Sequence, residues 1–261
     1  MTVIQTIILG IVEGVTEFLP ISSTGHMILA SKLMGIAADD FTKSFEIIIQ
    51  FGSILAVVVL YWRRIWNGGK DLWKRVFTAF LPTAIIGFLL YKVLKDYLLG
   101  NAVIVVWAFA IGGVALILFE LWYKKRVQIS SDRVNSVLTY KQSFITGLAQ
   151  ALAIIPGVSR SGATIIAGMA MGISREAIVE FSFLLAIPTM AAATGYDLLK
   201  TWHTFSLGQA DILLVGFVIS FIAAMLSVKW LIGFVKNHTF VSFGVYRILV
   251  AIIFYLLVIK V

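Results

Sequence analysis

The fold is decided by the stretch EGVTEFLPISSTGH, residues 13–26, which puts two carboxylates, four hydroxyls and an imidazole into a chain that is otherwise mostly apolar. Ionisable groups set among membrane-type segments are costly to bury, so they indicate a functional site that faces a cavity or another helix. Glu13 and Glu17 stand four positions apart. Both carboxylates therefore project from one face of a helix.

The helix that carries the two acids should end at Pro20, because the proline ring and the missing N–H disfavour continuation. Ser22 or Ser23 is a natural N-cap for a second short helix that begins near Gly25. The stretch therefore predicts a helix break in which free backbone N–H groups and hydroxyls lie beside two acids.

This break recurs in the second half of the chain, where Gly147 aligns with Gly10 and Ser159 with Ser22. Over 27 aligned positions that start at residue 10, eight are identical, where chance would give about two. The alignment therefore indicates an internal repeat.

The second copy keeps the break and changes its charge. It reads PGVSRSGAT, residues 156–164, and Gln150 takes the place of Glu13. Arg160 appears here instead of the acids. One copy thus supplies carboxylates and the other a cation.

Composition identifies an integral membrane protein. Of 261 residues, 60% are hydrophobic and 13% charged, and the mean hydropathy is +0.99. Cysteine is absent, which excludes disulfides, thiolate chemistry and cysteine-based metal sites. The basic residues behind the net charge of +8 lie in short loops, as topology signals do, so nucleic acid is not an expected partner. The N-terminus lacks a basic region and a small-residue cleavage site, and no cleaved signal peptide is expected.

The apolar segments predict an all-α polytopic membrane protein: a single integral membrane domain with six transmembrane helices and two re-entrant helical hairpins. Each half of a hairpin is too short to cross a hydrocarbon core of about 30 Å, which takes roughly 20 residues. The hairpins are 2–19 with 26–36, and 141–155 with 162–173. The full spans are expected at about 45–62, 77–95, 102–123, 177–197, 211–230 and 243–259.

Loop charge orients these spans. The loops at 63–76 and 124–141 each carry a net charge of +4. By the positive-inside rule they are cytoplasmic, which puts both termini on the periplasmic side. Repeat one is then about 1–123, a basic cytoplasmic loop about 124–140, and repeat two about 141–261.

Three crossings separate the two hairpins, and an odd number inverts one copy relative to the other. The two inverted-topology repeats bring the hairpins together near the midplane.

Two short helices whose N-termini meet form an anion site, because free N–H groups and the helix dipole favour negative charge. Arg160 adds a planar fork suited to phosphate oxygens. Glu13 and Glu17 would repel that anion unless a hard cation lies between them, and Mg²⁺ or Ca²⁺ takes carboxylates together with substrate phosphates. Metal, arginine and helix termini around a phosphate predict a phosphoryl-transfer site.

Several polar residues have a structural interpretation beside the functional one. Ser23 is favoured as the nucleophile, with Ser22 or Thr24 as the cap, although Ser22 has a similar claim. Ser22 and Thr24 are also candidates for binding the substrate phosphate. His26, one turn later, is either a polar core residue or a base or proton donor. Three hydroxyl residues of the second copy either bind phosphate or bond back to the backbone: Ser159, Ser161 and Thr164.

Three more ionisable residues are given structural interpretations. Glu46 and Glu180 each lie near the start of the span that follows a hairpin, where a structural role is at least as well supported as a chemical one. Arg247 lies near one end of the final span, and we expect its side chain to extend to the membrane interface.

The two motifs resemble those of the undecaprenyl-diphosphatase family, also called the bacitracin-resistance protein family. The resemblance rests on the Glu-x-x-x-Glu pair that runs into Pro-x-Ser-Ser-Thr-Gly-His and on Pro-Gly-x-Ser-Arg-Ser-Gly-Ala-Thr, and it extends over essentially the whole chain. It implies a bacterial inner-membrane enzyme that removes the terminal phosphate of undecaprenyl diphosphate, needs a divalent cation and regenerates the lipid carrier for peptidoglycan. The functional positions that it implies are Glu13, Glu17, Ser23, His26, Ser159, Arg160 and Thr164.

Under this hypothesis the lipid diphosphate enters laterally from the bilayer and Ser23 attacks its terminal phosphorus. Glu17 or His26 takes the proton, Glu13 and Glu17 hold the metal, and Arg160 stabilises the transferring phosphoryl group. A lipid-phosphate or anion transporter is the alternative, because inverted repeats with broken helices also serve transport. A carrier would not need a serine beside two acids. Direct attack by water, the working metal, the lipid chain length and a homodimer are left open at this level.

Overall fold

The computed structural model describes residues 1–37, 39–93, 98, 101–129, 136–201 and 210–259. Within these ranges the chain is helical and contains no strand. The all-α prediction is therefore confirmed for the described part of the chain. Asp132 and Arg133 of the predicted basic loop, and the last two residues of the predicted span 77–95, lie outside the described residues.

The described helices are numbered here in chain order. They are α1 Val3–Thr16, α2 Ser23–Leu33, α3 Asp40–Leu60, α4 Trp62–Asn67, α5 Gly69–Val93, α6 Ala102–Ile129, α7 Tyr140–Ala151, α8 Arg160–Ala170, α9 Arg175–Thr201, α10 Ala210–Asn237 and α11 Val241–Phe254. A 3₁₀ turn, Leu152–Ile154, follows α7, and a π-helical turn, Tyr255–Ile259, follows α11.

Four of the described helices contain segments long and apolar enough to cross a membrane, judged by length and composition: Gly69–Leu90, Ala102–Arg126, Arg175–Tyr196 and Ala210–Asn237. Shorter apolar helices are Val3–Thr16, Phe45–Leu60 and Val241–Leu257. The protein is thus a multi-pass membrane protein. Two of the predicted crossings, 45–62 and 243–259, fall among the shorter helices, so the count of six crossings and two hairpins stays a prediction.

Helix boundaries differ from those predicted in several places, and the largest difference is that residues 63–76, predicted as a loop, lie mostly in α4 and the start of α5. α1 ends at Thr16, before Pro20, and residues 17–21 form turns. α2 begins at Ser23, two residues before Gly25, and Ser22 is its N-cap, as one of the two predicted alternatives. Residues 124–129, expected to open the basic loop, continue α6.

The local structure repeats in register with the sequence alignment. Thr2 caps α1 in a capping box with Gln5, and Thr139 caps α7 in the same way with Gln142. The amide Nε2 of each glutamine donates to a backbone carbonyl 29 residues later at 3.2 Å, Gln5 to Met34 and Gln142 to Met171. These side chains tie the two helices of each broken pair together, and their carbonyl partners are aligned positions of the two copies.

The first helix of each broken pair packs against the other half of the chain. α1 lies against α10, and α7 lies against α5. The close approach requires glycine: a Cβ at Gly14 would be 2.5 Å from the carbonyl oxygen of Ser220, and one at Gly147 would be 2.0 Å from that of Ala79. α3 with α9 and α6 with α11 also pair across the halves. The two breaks are therefore held in the middle of the bundle.

Candidate active site

The first break contains a strained residue. Ser22 has φ 71°, the one positive φ at a non-glycine position in the described chain, and such a conformation costs about 1–3 kcal/mol. Its carbonyl oxygen accepts hydrogen bonds from the backbone N–H of His26 at 3.3 Å and from Nδ1 of the same residue at 2.7 Å. Its Oγ accepts from the N–H of Gly25 at 3.5 Å. These bonds hold the conformation from which Ser23 begins α2.

The second break has the same kind of cap but an ordinary backbone at the cap residue. Ser159 has φ −77° and ψ 125°, and its Oγ accepts from the N–H of Gly162 at 3.1 Å. The positive φ falls instead on Gly157, at 92°. A Cβ there would lie 2.9 Å from the carbonyl oxygen of Val105, so both the conformation and the space require glycine.

The two breaks bind each other directly. Ser161 Oγ donates to the carbonyl oxygen of Leu19 at 2.8 Å, and Ser159 Oγ lies 3.4 Å from the same oxygen. The hydroxyls of the second break thus join the backbone N–H of Ile21, which donates to the same carbonyl oxygen at 2.7 Å. The N-terminus of α8 is thereby fixed against the turns that precede α2.

Arg247 joins the breaks from a third element. Its Nη1 donates to the carbonyl oxygen of Pro20 at 3.3 Å, and its Nη2 to that of Gly157 at 2.9 Å. Pro20 aligns with Gly157, so the two carbonyls occupy equivalent positions of the two copies. Further bonds run to the carbonyl oxygens of Ala108 at 2.8 Å and Phe109 at 3.4 Å. One guanidinium from α11 therefore fixes the relative position of both breaks.

The expectation that Arg247 extends to the interface is wrong. Its exposed fraction is 2%, and no acid pairs with it among the described residues. Gly112 makes the room, because a Cβ there would lie 2.2 Å from Nη2 of Arg247. The position of Arg247 along the final span could not reveal that its side chain binds the two breaks. A cation inside an apolar segment does, however, indicate a functional site.

A hydroxyl, a carboxylate and a guanidinium meet where the two breaks touch. Ser23 Oγ donates a short hydrogen bond to Glu17 Oε2. Arg160 Nη2 forms a salt bridge of 3.2 Å with Glu17 Oε1 and Nη1 donates to the carbonyl oxygen of Ser182 at 3.0 Å. The exposed fractions of Ser23 and Glu17 are 8% and 7%. A serine that donates to a buried carboxylate is placed to lose its proton to that carboxylate.

Glu13 lies beside this cluster with an unsatisfied oxygen. Its Oε1 is buried and has no hydrogen-bond partner among the described residues, and the carboxylate is close enough to interact electrostatically with Glu17, Glu46 and Arg160. A buried carboxylate oxygen without a partner is costly, and a cation is a natural partner for it. The described residues contain no group of three or more His, Cys, Asp and Glu that could hold a metal by themselves. Two carboxylates fit Mg²⁺ or Ca²⁺ when phosphate oxygens and water complete the shell.

Both ring nitrogens of His26 are occupied. Nδ1 lies 2.7 Å from the Ser22 carbonyl, which can only accept, so Nδ1 carries the proton. Nε2 lies 2.9 Å from the hydroxyl of Tyr246, which donates to it when the ring is neutral. The two rings are stacked, with 5.5 Å between centroids and an interplanar angle of 10°. This arrangement makes His26 a support of the strained Ser22 conformation, and no local sequence rule pairs it with Tyr246, which lies 220 positions later.

The remaining predicted site residues take different places. Thr164 is buried, and its Oγ1 lies 2.8 Å from Ser182 Oγ and 2.9 Å from the carbonyl oxygen of Ser161. Thr24 has an exposed side chain beside the buried serines. Glu180 lines a separate cavity of about 220 Å³ on another part of the molecule. Ser182, which contacts both Arg160 and Thr164, was missed because nothing in its local sequence marks it.

The fold and the site define a class: a helical membrane protein whose two broken helix pairs enclose a buried serine, carboxylates and an arginine. Comparison with known families is consistent with that class. The family model described as "Bacitracin resistance protein BacA" matches residues 6–253. The chain belongs to this family.

Curated relatives match over nearly their whole length. A protein of Aquifex aeolicus named undecaprenyl-diphosphatase is 51% identical over 254 residues, which cover 97% of this chain and 98% of the relative. One of Persephonella marina with the same name is 50% identical over 260 residues, covering 99% and 100%. One of Sulfurihydrogenibium sp. is 49% identical over 258 residues, covering 98% and 99%.

Proposed function

We propose that this protein hydrolyses undecaprenyl diphosphate to undecaprenyl phosphate and inorganic phosphate. The reaction recycles the lipid carrier of cell-wall synthesis and confers resistance to bacitracin. The family and the name shared by relatives at about half identity support the activity. The observation that carries it is the hydrogen bond from Ser23 to Glu17, a carboxylate that Arg160 pairs from the other break.

In the proposed mechanism Ser23 Oγ attacks the terminal phosphorus while its proton passes to Glu17. The bond from phosphorus to the bridging oxygen breaks, and undecaprenyl phosphate leaves. Glu17 gives up this proton to the departing undecaprenyl phosphate. Water then attacks the phosphoserine while Glu17 takes its proton, and Glu17 passes that proton to Ser23 Oγ as the bond from Oγ to phosphorus breaks and inorganic phosphate is released. Glu17 is assigned as the base instead of His26, because Ser23 donates to Glu17 and both nitrogens of His26 have other partners.

Arg160 is assigned to the transferring phosphoryl group. Its Nε is buried and lacks a hydrogen-bond partner, so a donor remains for a phosphate oxygen. The N-termini of α2 and α8 add partial positive charge at the same place. Thr24 stays a predicted phosphate ligand, whereas Ser22 Oγ already caps α2. Three hydroxyls predicted to bind phosphate already contact protein oxygens and are assigned to holding the breaks instead: Ser159, Ser161 and Thr164.

A divalent cation, Mg²⁺ or Ca²⁺, is proposed to bind at Glu13 and Glu17. When bound it would neutralise the repulsion between the acids and the diphosphate and polarise the phosphoryl group. The unsatisfied Oε1 of Glu13 supports this assignment. Glu13 then has the single role of holding the cation. Glu17 also holds the cation, accepts the proton of Ser23 and pairs with Arg160.

For the membrane, we propose six crossings and two re-entrant hairpins in inverted repeats, in the bacterial inner membrane with both termini periplasmic. The recurrence of caps and side-chain bonds at aligned positions supports the repeats. The substrate would enter laterally, with its isoprenoid tail among the membrane lipids and its diphosphate between the breaks. A homodimer stays a prediction. Transport of lipid phosphate has no support, since the relatives are named as phosphatases and carriage does not require Ser23 beside Glu17.

The test is release of inorganic phosphate from undecaprenyl diphosphate by the purified protein in detergent, with Mg²⁺ or Ca²⁺ and then with EDTA. Metal-dependent release is expected. Phosphate release that persists in EDTA would support the phosphatase assignment and contradict the assignment of a divalent cation. If folded protein binds the lipid but releases no phosphate under either condition, the enzyme assignment fails.

A further inference from the structure

A second binding surface lies at the start of α5 and shares no residue with the site around Ser23. It is a groove of about 1130 Å³ between α4, the first three turns of α5 and the start of α7. Its lining includes Trp66, Lys70, Trp73, Lys74 and Phe77. We call it the Lys70 groove. It combines two ammonium groups with a wall that is otherwise mostly aromatic and aliphatic.

No acid among the described residues neutralises the positive charge of the Lys70 groove. Lys70 and Lys74 stand four positions apart on one face of α5, both side chains are exposed, and neither has an acidic partner among the described residues. The nearest acid in sequence, Asp71, is already paired: Arg75 Nη2 lies 2.5 Å from it, and the hydroxyl of Tyr140 donates to it. Two positive charges therefore face the groove.

The groove continues into a surface that suits acyl chains. α5 begins a segment, Gly69–Leu90, that is apolar enough to span a membrane, so its first two turns lie where lipid head groups lie. Below the lysines the same face carries side chains that are 49–75% exposed: Phe77, Leu81, Ile85 and Phe88. Trp66, 74% exposed, forms the other wall, and tryptophan is typical of the interface.

We propose that the Lys70 groove binds one anionic phospholipid of the surrounding bilayer. Its phosphate lies between the ammonium groups of Lys70 and Lys74, and one acyl chain follows Phe77 and Leu81 along α5. The unpaired lysines select an anionic head group over a zwitterionic one. A zwitterionic head group would bring its own ammonium group next to the two lysine ammonium groups. The apolar wall selects a lipid over a soluble anion, which would leave that wall without a partner.

Native mass spectrometry of the full chain in detergent, titrated with phosphatidylglycerol and separately with phosphatidylcholine, tests this proposal. The wild type should retain phosphatidylglycerol in preference. The double variant Lys70→Gln/Lys74→Gln should lose affinity for it on the order of tenfold, since each interfacial cation contributes severalfold. The matched control is Lys124→Gln/Lys125→Gln, which removes the same charge from exposed positions of the other basic segment. Phosphate release from undecaprenyl diphosphate in detergent should be unchanged in both variants.

If both double variants lose the same affinity for phosphatidylglycerol, the lipid is attracted by the overall positive charge of the protein and not by the Lys70 groove. That result would overturn the proposal. So would equal retention of the two lipids by the wild type. Undecaprenyl diphosphate serves as a competitor: if it displaces phosphatidylglycerol from the wild type but not from the groove variant, the groove belongs to the substrate path and the phospholipid assignment fails. Because phosphate release is measured on the same preparations, failure of the lipid proposal is distinguishable from failure of the phosphatase assignment.

Discussion

The two breaks share a backbone plan and differ in chemistry. Both are capped by a serine that accepts from the glycine three positions on, Ser22 with Gly25 and Ser159 with Gly162. The first break holds carboxylates and a cap serine at positive φ, whereas the second holds Arg160 and a relaxed cap. The duplicated backbone brings two helix N-termini together. Under the proposed function, the divergent side chains give one break the base and nucleophile and the other the cation.

The largest effect should come from Ser23, the proposed nucleophile of the first break. Ser23→Ala removes the hydroxyl that donates to Glu17, and phosphate release should fall by at least about a thousandfold. Ser31→Ala is the control, because it removes a hydroxyl from the same helix that has no hydrogen-bond partner, and the rate should stay nearly unchanged. Trapping of ³²P on the wild type but not on Ser23→Ala would identify the phosphoserine. Full activity in Ser23→Ala would exclude this serine and favour direct attack by water.

The cation of the second break comes next. In Arg160→Lys a single ammonium cannot reach Glu17, the Ser182 carbonyl and a phosphate together, so activity should fall by about a hundredfold or more. Arg126→Lys is the control, because Arg126 donates to the carbonyl of Ala170 at the far end of the same helix, at 3.0 Å. Similar rates in the two variants would show that Arg160 is only a structural link between the breaks.

A smaller effect should follow from a substitution that disturbs Arg247, the residue that links the two breaks, and leaves the residues of both breaks unchanged. Gly112→Ala puts a methyl group against the guanidinium of Arg247, and such overpacking costs about 1–3 kcal/mol. We expect a lower melting temperature and roughly tenfold less activity. Gly233→Ala has no atom within 4 Å of the added methyl group, so it should be neutral or slightly stabilising. Unchanged melting and activity in Gly112→Ala would show that Arg247 has room to move.

The smallest effect is expected at Tyr246. Tyr246→Phe removes the hydroxyl that contacts His26 Nε2 but keeps the stacked ring, which should cost about 1 kcal/mol of stability and a few-fold in rate. The pH profile of the rate should keep its shape, because His26 is a support and not the base. Tyr255→Phe, in an exposed residue of the last turn, is the control. A profile that shifts in Tyr246→Phe alone would return His26 to proton transfer.

Prediction from the sequence succeeded where local rules apply. Ser22 was one of the two residues predicted to cap α2, Ser159 was a candidate cap of the second break, and both are caps in the structure. The hypothesis in which Glu17 takes the proton of Ser23 agrees with the hydrogen bond between them. It failed for Arg247 and could not find Tyr246. Both residues lie in the final helix, and the partners that they hold at the two breaks belong to distant parts of the sequence. No periodicity or capping rule carries information over such separations.

By itself, the sequence determined that this protein is a helical membrane protein with a duplicated polar break, because hydrophobicity, proline and capping residues act through neighbouring backbone and through the bilayer. Only the tertiary structure decided which polar atoms are partners and which stay unsatisfied. Packing of α1 on α10 and of α7 on α5 sets which groups meet. Among the described residues, this packing leaves Glu13 Oε1 and Arg160 Nε buried without a hydrogen-bond partner. Whether such an atom finds a partner depends on helices from both halves of the chain.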